Sequence, residues 1–212
     1  MLPPTIGDLM RSPSFERNAE PILGELRKRL NRDAGTVLEI GSGSGQHAAF
    51  FAEALAPLTW LPTDPQTLHL RSIEAWRQMQ SGESLAAPVR LDARRDWSAM
   101  PEIRDRAPLA GVYSQNVIHI ADWDVCEGLV AGAARCLQPG GKLMLYGPFI
   151  VAGEMTGAGN RTFHASLKAQ DPDWGLRDTD DVAALAKQHG FGRTEIVPMP
   201  SDNRMLFFDR LA

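Results

Sequence analysis

The residues able to do chemistry fall at regular places along the chain. Gly41, Gly43 and Gly45 occupy every second position after a β-forming run, "TVLEI" (36–40), and the acid Glu39 stands two residues before the first of them. Glycines at this spacing let the backbone turn tightly and lie close to a ligand. A carboxylate at Glu39 is unfavourable beside a pyrophosphate and favourable beside an ammonium group. Asp64 follows a second β-forming run, where a carboxylate can accept hydrogen bonds from both hydroxyls of a ribose; it can equally cap the helix that begins near Pro65. Asp92 ends a third run and can accept from an adenine amino group, or stand solvated in the polar stretch "DARRD". A ligand with an ammonium, a ribose and an adenine but no phosphate is S-adenosylmethionine. A dinucleotide would share the ribose acid, but its GxGxxG pattern needs glycine at position 46, where this chain has Gln46.

A second set of side chains could act on a substrate. His119, in "SQNVIHI" (114–120), has the right intrinsic pKa to accept a proton near neutrality, though a histidine between Ile118 and Ile120 also suits a core position. Tyr146 ends a later strand and either points into a pocket or packs beneath it. Arg177, in "WGLRD", could hold an anionic group or pair with Asp178 or Asp180. Asn160 and Trp174 are further pocket candidates.

Strands and helices must alternate to place these residues. Apolar spacing predicts a helix over 20–30, with Pro21 tolerated only in its first turn. Strand 36–40, the glycine loop and a helix over 46–56 follow, with His47 at that helix's start. Next come strand 58–62, helix 65–80, strand 88–92, strand 109–115 and helix 123–137. The sequence "QPGG" then predicts a stop and turn before strand 142–147. The glycine-containing stretch 148–163 predicts a loop, and 148–178 as a whole a lid over the site. Helices over 161–170 and 179–189 lead to two closing strands, 193–200 and 203–211. Such alternation predicts an α/β fold with a single domain over 1–212, a flanked, mostly parallel sheet, and ligands at the carboxyl ends of its strands.

Composition narrows the rest. The net charge of −4 disfavours nucleic acid as a partner. The arginines at 90, 94, 95, 104 and 106 are interrupted by Asp92, Asp96, Glu102 and Asp105, as on a solvated surface. Cys126 and Cys136 have no metal-ligand or redox spacing, so no metal is expected, and both fit a reducing compartment. The N-terminal stretch lacks the pattern of a signal peptide, and the apolar run 143–153 is too short to span a bilayer. A cytoplasmic location and no membrane association are expected.

The whole pattern resembles the class I S-adenosylmethionine-dependent methyltransferases. "VLEIGSGSG" resembles their first motif, "LQPGGKLMLYGP" their turn and fifth strand, and 193–211 their final antiparallel hairpin. Nearly the whole chain is similar to a narrower family, methyltransferase-like 26. The matching pieces are "ERNAEPIL" (16–23), "GSGSGQHAAFFA" (41–52), "SQNVIHI", "EGLVAGAARCLQPGGKLMLYGPF" (127–149), "DPDWGLRD" (171–178) and "PMPSDN" (198–203). Family members often carry two asparagines where this chain has Asp202 and Asn203. The resemblance implies a Rossmann-like fold with a seven-stranded sheet and S-adenosylmethionine as cofactor, leaving S-adenosylhomocysteine; it brings no acceptor. It also implies that the segment around Arg17 and Asn18 folds over the cofactor carboxylate. Asn116, after the fourth strand, would lie close to the transferable methyl and align cofactor or substrate. The expected activity is methyl transfer to a small-molecule acceptor. The rival readings are a nicotinamide-dependent oxidoreductase and a non-catalytic protein that binds the cofactor as a sensor or partner.

Overall fold

The computed structural model describes residues 5–31, 33 and 35–212. A helix α1 (Phe15–Arg29) precedes β1 (Thr36–Ile40), α2 (Gln46–Ala54), β2 (Thr59–Asp64), α3 (Thr67–Gln78) and β3 (Val89–Arg90). A short helix α4 (Pro101–Arg104), β4 (Leu109–Gln115), α5 (Trp123–Cys136) and β5 (Leu137–Gly147) continue the alternation. A small hairpin, β6 (Ile150–Val151) and β7 (Glu154–Met155), then leads to α6 (Ala158–Gln170), α7 (Thr179–Gln188), β8 (Glu195–Pro198) and β9 (Arg204–Asp209).

The main sheet runs β3-β2-β1-β4-β5-β9-β8. Its first five strands are parallel, while β9 pairs antiparallel with both β5 and β8. Every position of β1 is buried, as a central strand covered on both faces requires. One face packs a core that includes Leu129, Val130 and Ala133 of α5, Val182 and Ala186 of α7, and Trp97. The other carries Ile22, Leu23 and Leu26 of α1 with Ala48, Phe51 and Ala52 of α2. Strand order reverses between β1 and β4, so the carboxyl ends of these two strands open a crevice.

The predicted fold class and the closing hairpin match this arrangement. Three details differ. Helix α1 begins at Phe15, so Pro21 sits in its second turn rather than its first. Burial of Ala19, Ile22, Leu23 and Leu26 along one stripe holds the helix together where local propensity would end it. "QPGG" does stop α5, but it joins β5 with Gly140 at φ 81°, its N–H donating to the Arg210 carbonyl at 2.8 Å. Finally, the loop expected at 148–163 contains the β6–β7 hairpin and the first turns of α6.

Candidate active site at the strand ends

Glu39 is 2% exposed in β1, on the face that also carries Trp60 of β2. Ser42 Oγ and Trp60 Nε1 both donate to its Oε2, at 2.9 and 2.8 Å, which leaves Oε1 for the cavity that Glu39 lines. Burial, opposed by these two donors and assisted by the Asp64 charge, raises its carboxyl pKa from 4.5 to about 7. A buried acid this short of compensation marks a candidate functional site.

The glycine loop is fixed by the chain around it. Ser42 N–H donates to the Thr63 carbonyl at 2.8 Å, and Thr63 Oγ1 donates to the Glu39 carbonyl at 2.7 Å. Gly41 has φ 73°, and a Cβ there would lie 2.3 Å from Val117 Cγ2. Gly45 has φ 79° and would press a Cβ to 2.7 Å from the Ile73 backbone, so it lets α2 start against α3. Gly41 and Gly43 line the cavity; Gly45 lies behind it.

The cavity, about 680 Å³, runs along the strand ends. That volume is in the range of small-molecule and cofactor sites. Asp64 lines it at the end of β2, its Oδ2 accepting from Gly43 N–H at 3.0 Å and its Oδ1 from Gln66 N–H at 2.9 Å. His69 Nδ1 lies 3.0 Å from the same Oδ1. Asp64 therefore closes the turn before α3, which starts at Thr67, while keeping acceptor capacity toward the cavity. Asp92 lines the cavity beyond β3, with Leu91 and Ala93, and is bound by Arg94 at 3.0 and 2.9 Å. His47 lines it too, at the start of α2; burial lowers its pKa to about 4, so it is neutral at ordinary pH. Asn116 completes the row after β4, at φ 63°, with its N–H on the Tyr146 carbonyl at 2.8 Å.

Other expected residues stand apart from this row. His119 is fully buried and is absent from the cavity wall. Its ring packs edge-on against Phe149 at 4.8 Å, neither nitrogen has a hydrogen-bond partner among the described residues, and burial with the nearby Arg177 charge lowers its pKa to about 3. This placement does not suit a base reached by substrate. Arg177 is also outside the cavity wall: its Nε donates to the Ile118 carbonyl at 2.8 Å, and Nη2 to those of Ala121 and Asp173 at 2.6 and 2.9 Å. It ties the loop after β4 to the 171–178 turn instead of pairing with Asp178 or Asp180. Tyr146 is buried on the α1 face of the sheet, among the residues beneath the helices. Arg17 is exposed, its Nη1 3.3 Å from the Pro13 carbonyl, and Asn18 is buried within α1; neither lines the cavity. Of the segment expected as a lid, Asp171 and Trp174 reach the cavity, while Asn160 is buried and donates to the Asp202 carbonyl at 3.1 Å.

Sequence reasoning missed the residues just before α1. Arg11, Ser12, Pro13 and Ser14 form a cavity wall because the strap they belong to is pinned: Met10 N–H donates to Ser72 Oγ at 2.8 Å and Ser12 N–H to Gln46 Oε1 at 2.9 Å. No local pattern marks such a wall. His69 was also missed, although its position five residues after the acid, in the first turn of α3, was a usable signal. The carboxylates of Asp122, Asp171 and Asp173 lie within 4.8 Å of one another near the mouth, beside the Arg177 charge.

Solved structures share this fold. An O-methyltransferase family protein from Burkholderia thailandensis is 16% identical, with a TM-score of 0.73, over 92% of this chain and 56% of that one. Human N-acetylserotonin methyltransferase, in complex with S-adenosylmethionine, is 13% identical, with a TM-score of 0.72, over 93% and 53%. A putative O-methyltransferase from Nostoc punctiforme PCC 73102 is 15% identical, with a TM-score of 0.74, over 90% and 56%. The chain thus spans about half the length of the structures it matches, and at these identities the likeness is one of fold. The α/β fold, with its mostly parallel seven-stranded sheet and helices around it, matches that of these Rossmann-like neighbours. Residues 9–210 match the family described as "Protein of unknown function (DUF938)", and the chain belongs to that family.

Proposed function

We propose that the protein binds S-adenosylmethionine in the strand-end cavity and transfers its methyl group to a small-molecule acceptor. The observation that carries this reading is Glu39: a buried carboxylate with one oxygen left to the cavity, at the end of a glycine loop, in line with Asp64 and Asp92. Glu39 would hold the ammonium, Asp64 the ribose hydroxyls, and Asp92 with the backbone at 91–93 the adenine. Arg11, Ser12 and Ser14 would receive the carboxylate end, in place of Arg17 and Asn18. Asn116 would align the reactants at the end of β4. The motif likeness to methyltransferase-like 26 and the O-methyltransferase neighbours support the same reading.

When bound, the cofactor supplies an activated sulfonium methyl, which an acceptor lone pair takes as the carbon–sulfur bond breaks. The chain's own work is then to align and desolvate the reactants. Arg177 is occupied in holding the 118–121 loop and His119 is sealed away from the cavity, so neither side chain is placed to take a proton from an acceptor.

Calorimetric titration with S-adenosylmethionine, S-adenosylhomocysteine and NAD tests the reading. Micromolar binding of the first two, weakened at least tenfold by Asp64→Ala, is the expected result; binding of NAD alone would overturn it.

A further inference from the structure

A second cavity, a groove of about 480 Å³, lies between α2 and the end of α3, and it shares no lining residue with the strand-end cavity. Gln46, Ala49, Phe50 and Glu53 of α2 all line it. Spacings of three, four and seven residues put these side chains on one face of the helix. Gln46 and Glu53 thus stand two turns apart, about 10 Å along the axis. Phe15, Trp76 and Met79 give the groove apolar walls, and Met79 is left 60% exposed at its edge.

Two polar groups are left to this space. Gln46 is only 7% exposed, and its Oε1 accepts from Ser12 N–H at 2.9 Å. That bond decides which end of the amide is which, so Nε2 is the free donor; it has no partner among the described residues. A side chain this buried and only half satisfied points to an acceptor supplied from the groove. Glu53 is the one charged side chain among the lining residues, and it makes no ion pair among the described residues. Arg11, whose guanidinium stands 5.7 Å from the centre of the Trp76 ring, belongs to the wall of the strand-end cavity instead.

We infer that this groove binds a small aromatic amine whose ring carries a hydrogen-bond acceptor at the end away from the amine. The ring lies against Phe50, Trp76 and Met79, the ammonium meets Glu53, and the acceptor takes the Gln46 amide hydrogen. Two of these groups are already held in place by the strap before α1. Ser12 fixes the Gln46 amide, and Trp76 Nε1 donates to the Met10 carbonyl at 3.0 Å, so little order has to be gained on binding. The groove stands on its own walls, and the inference does not depend on methyl transfer.

Tyramine has the required ring, phenolic oxygen and ammonium. The chain has five tryptophans, so protein labelled with nitrogen-15 at the indole gives five side-chain resonances, of which Trp76→Phe identifies one. Tyramine titrated into the full chain should shift the Trp76 resonance saturably. N-acetyltyramine, which lacks the charge, and phenethylamine, which lacks the phenolic oxygen, should each bind about tenfold more weakly. The acid 4-hydroxyphenylacetate should give no saturable shift. Glu53→Gln, an exposed change, should weaken tyramine about tenfold, and Glu53→Asp should restore part of the loss. Absence of a saturable shift, an equal response to the acid, phenethylamine binding as tightly as tyramine, or an undiminished response in Glu53→Gln would each overturn the site.

Discussion

Under the proposed reading, Glu39 would report the binding of its own ligand. Its pKa of about 7 reflects burial with too few donors, and a bound ammonium would favour the ionised form. Binding of S-adenosylmethionine near pH 7 should therefore release about half a proton from the protein. Calorimetry in buffers of different ionisation enthalpy measures this release. Glu39→Gln should abolish it and weaken binding at least tenfold, and an unchanged proton count in that variant would remove Glu39 from the site. His47, neutral and in the same wall, adds shape and polarity without competing for the cation.

At the scale of elements, the cavity is held by close backbone contacts as much as by side chains. Gly128 of α5 lies against the 92–94 loop: a Cβ at this position would meet the Ala93 carbonyl oxygen at 2.0 Å. One turn later, Gly132 leaves room for the Trp97 ring, whose Nε1 donates to the Gly128 carbonyl at 3.2 Å. The helix therefore sets the height of the end of the cavity lined by residues 91–94. Gly128→Ala should push Ala93 and Asp92 outward, cost about 1–3 kcal/mol of stability as overpacking does, and raise the cofactor dissociation constant by about tenfold. Urea unfolding and calorimetry on the same variant separate the two effects; unchanged affinity with lost stability would show that the loop does not bear on binding.

At the scale of the molecule, buried titratable groups pull stability in opposite directions. His47 and His119 are kept neutral in the fold, with pKa values of about 4 and 3. The unfolded chain takes up protons at these sites below about 6.5, so their contribution is complete above that pH and is lost as pH falls toward the folded values. Glu39 acts the other way: the fold holds its proton more tightly than the unfolded chain, so its contribution falls as pH rises from 4.5 toward 7. Urea midpoints measured from pH 7 down to pH 4 should therefore decline, and decline more steeply in Glu39→Gln, which loses the opposing term. A flat profile in both proteins would show that the histidines are not buried as neutral groups. None of the described helices is long and apolar enough to cross a membrane.

The alternation of elements, the strand-end acids and the final hairpin were legible in the residue order, because period, glycine spacing and turn chemistry are local properties. "VLEIGSGSG" marks a strand and a tight loop, and Asp64, Asp92 and Asn116 follow their strands wherever the sheet places them. The wall at 11–14 was not legible, since it depends on Ser72 and Gln46 arriving from α3 and α2 to hold the strap. Nor was Pro21 inside α1, where burial of one stripe outweighs the local cost. His119 and Arg177 have side chains suited to chemistry, and only packing decided that one would be sealed behind Phe149 and the other spent on backbone carbonyls. The sequence by itself determined the alternation of the main strands and helices and which acids end the strands. The tertiary structure decided which polar groups meet a cavity and which lie beneath it, because that depends on helix phase and on contacts between residues far apart in the chain.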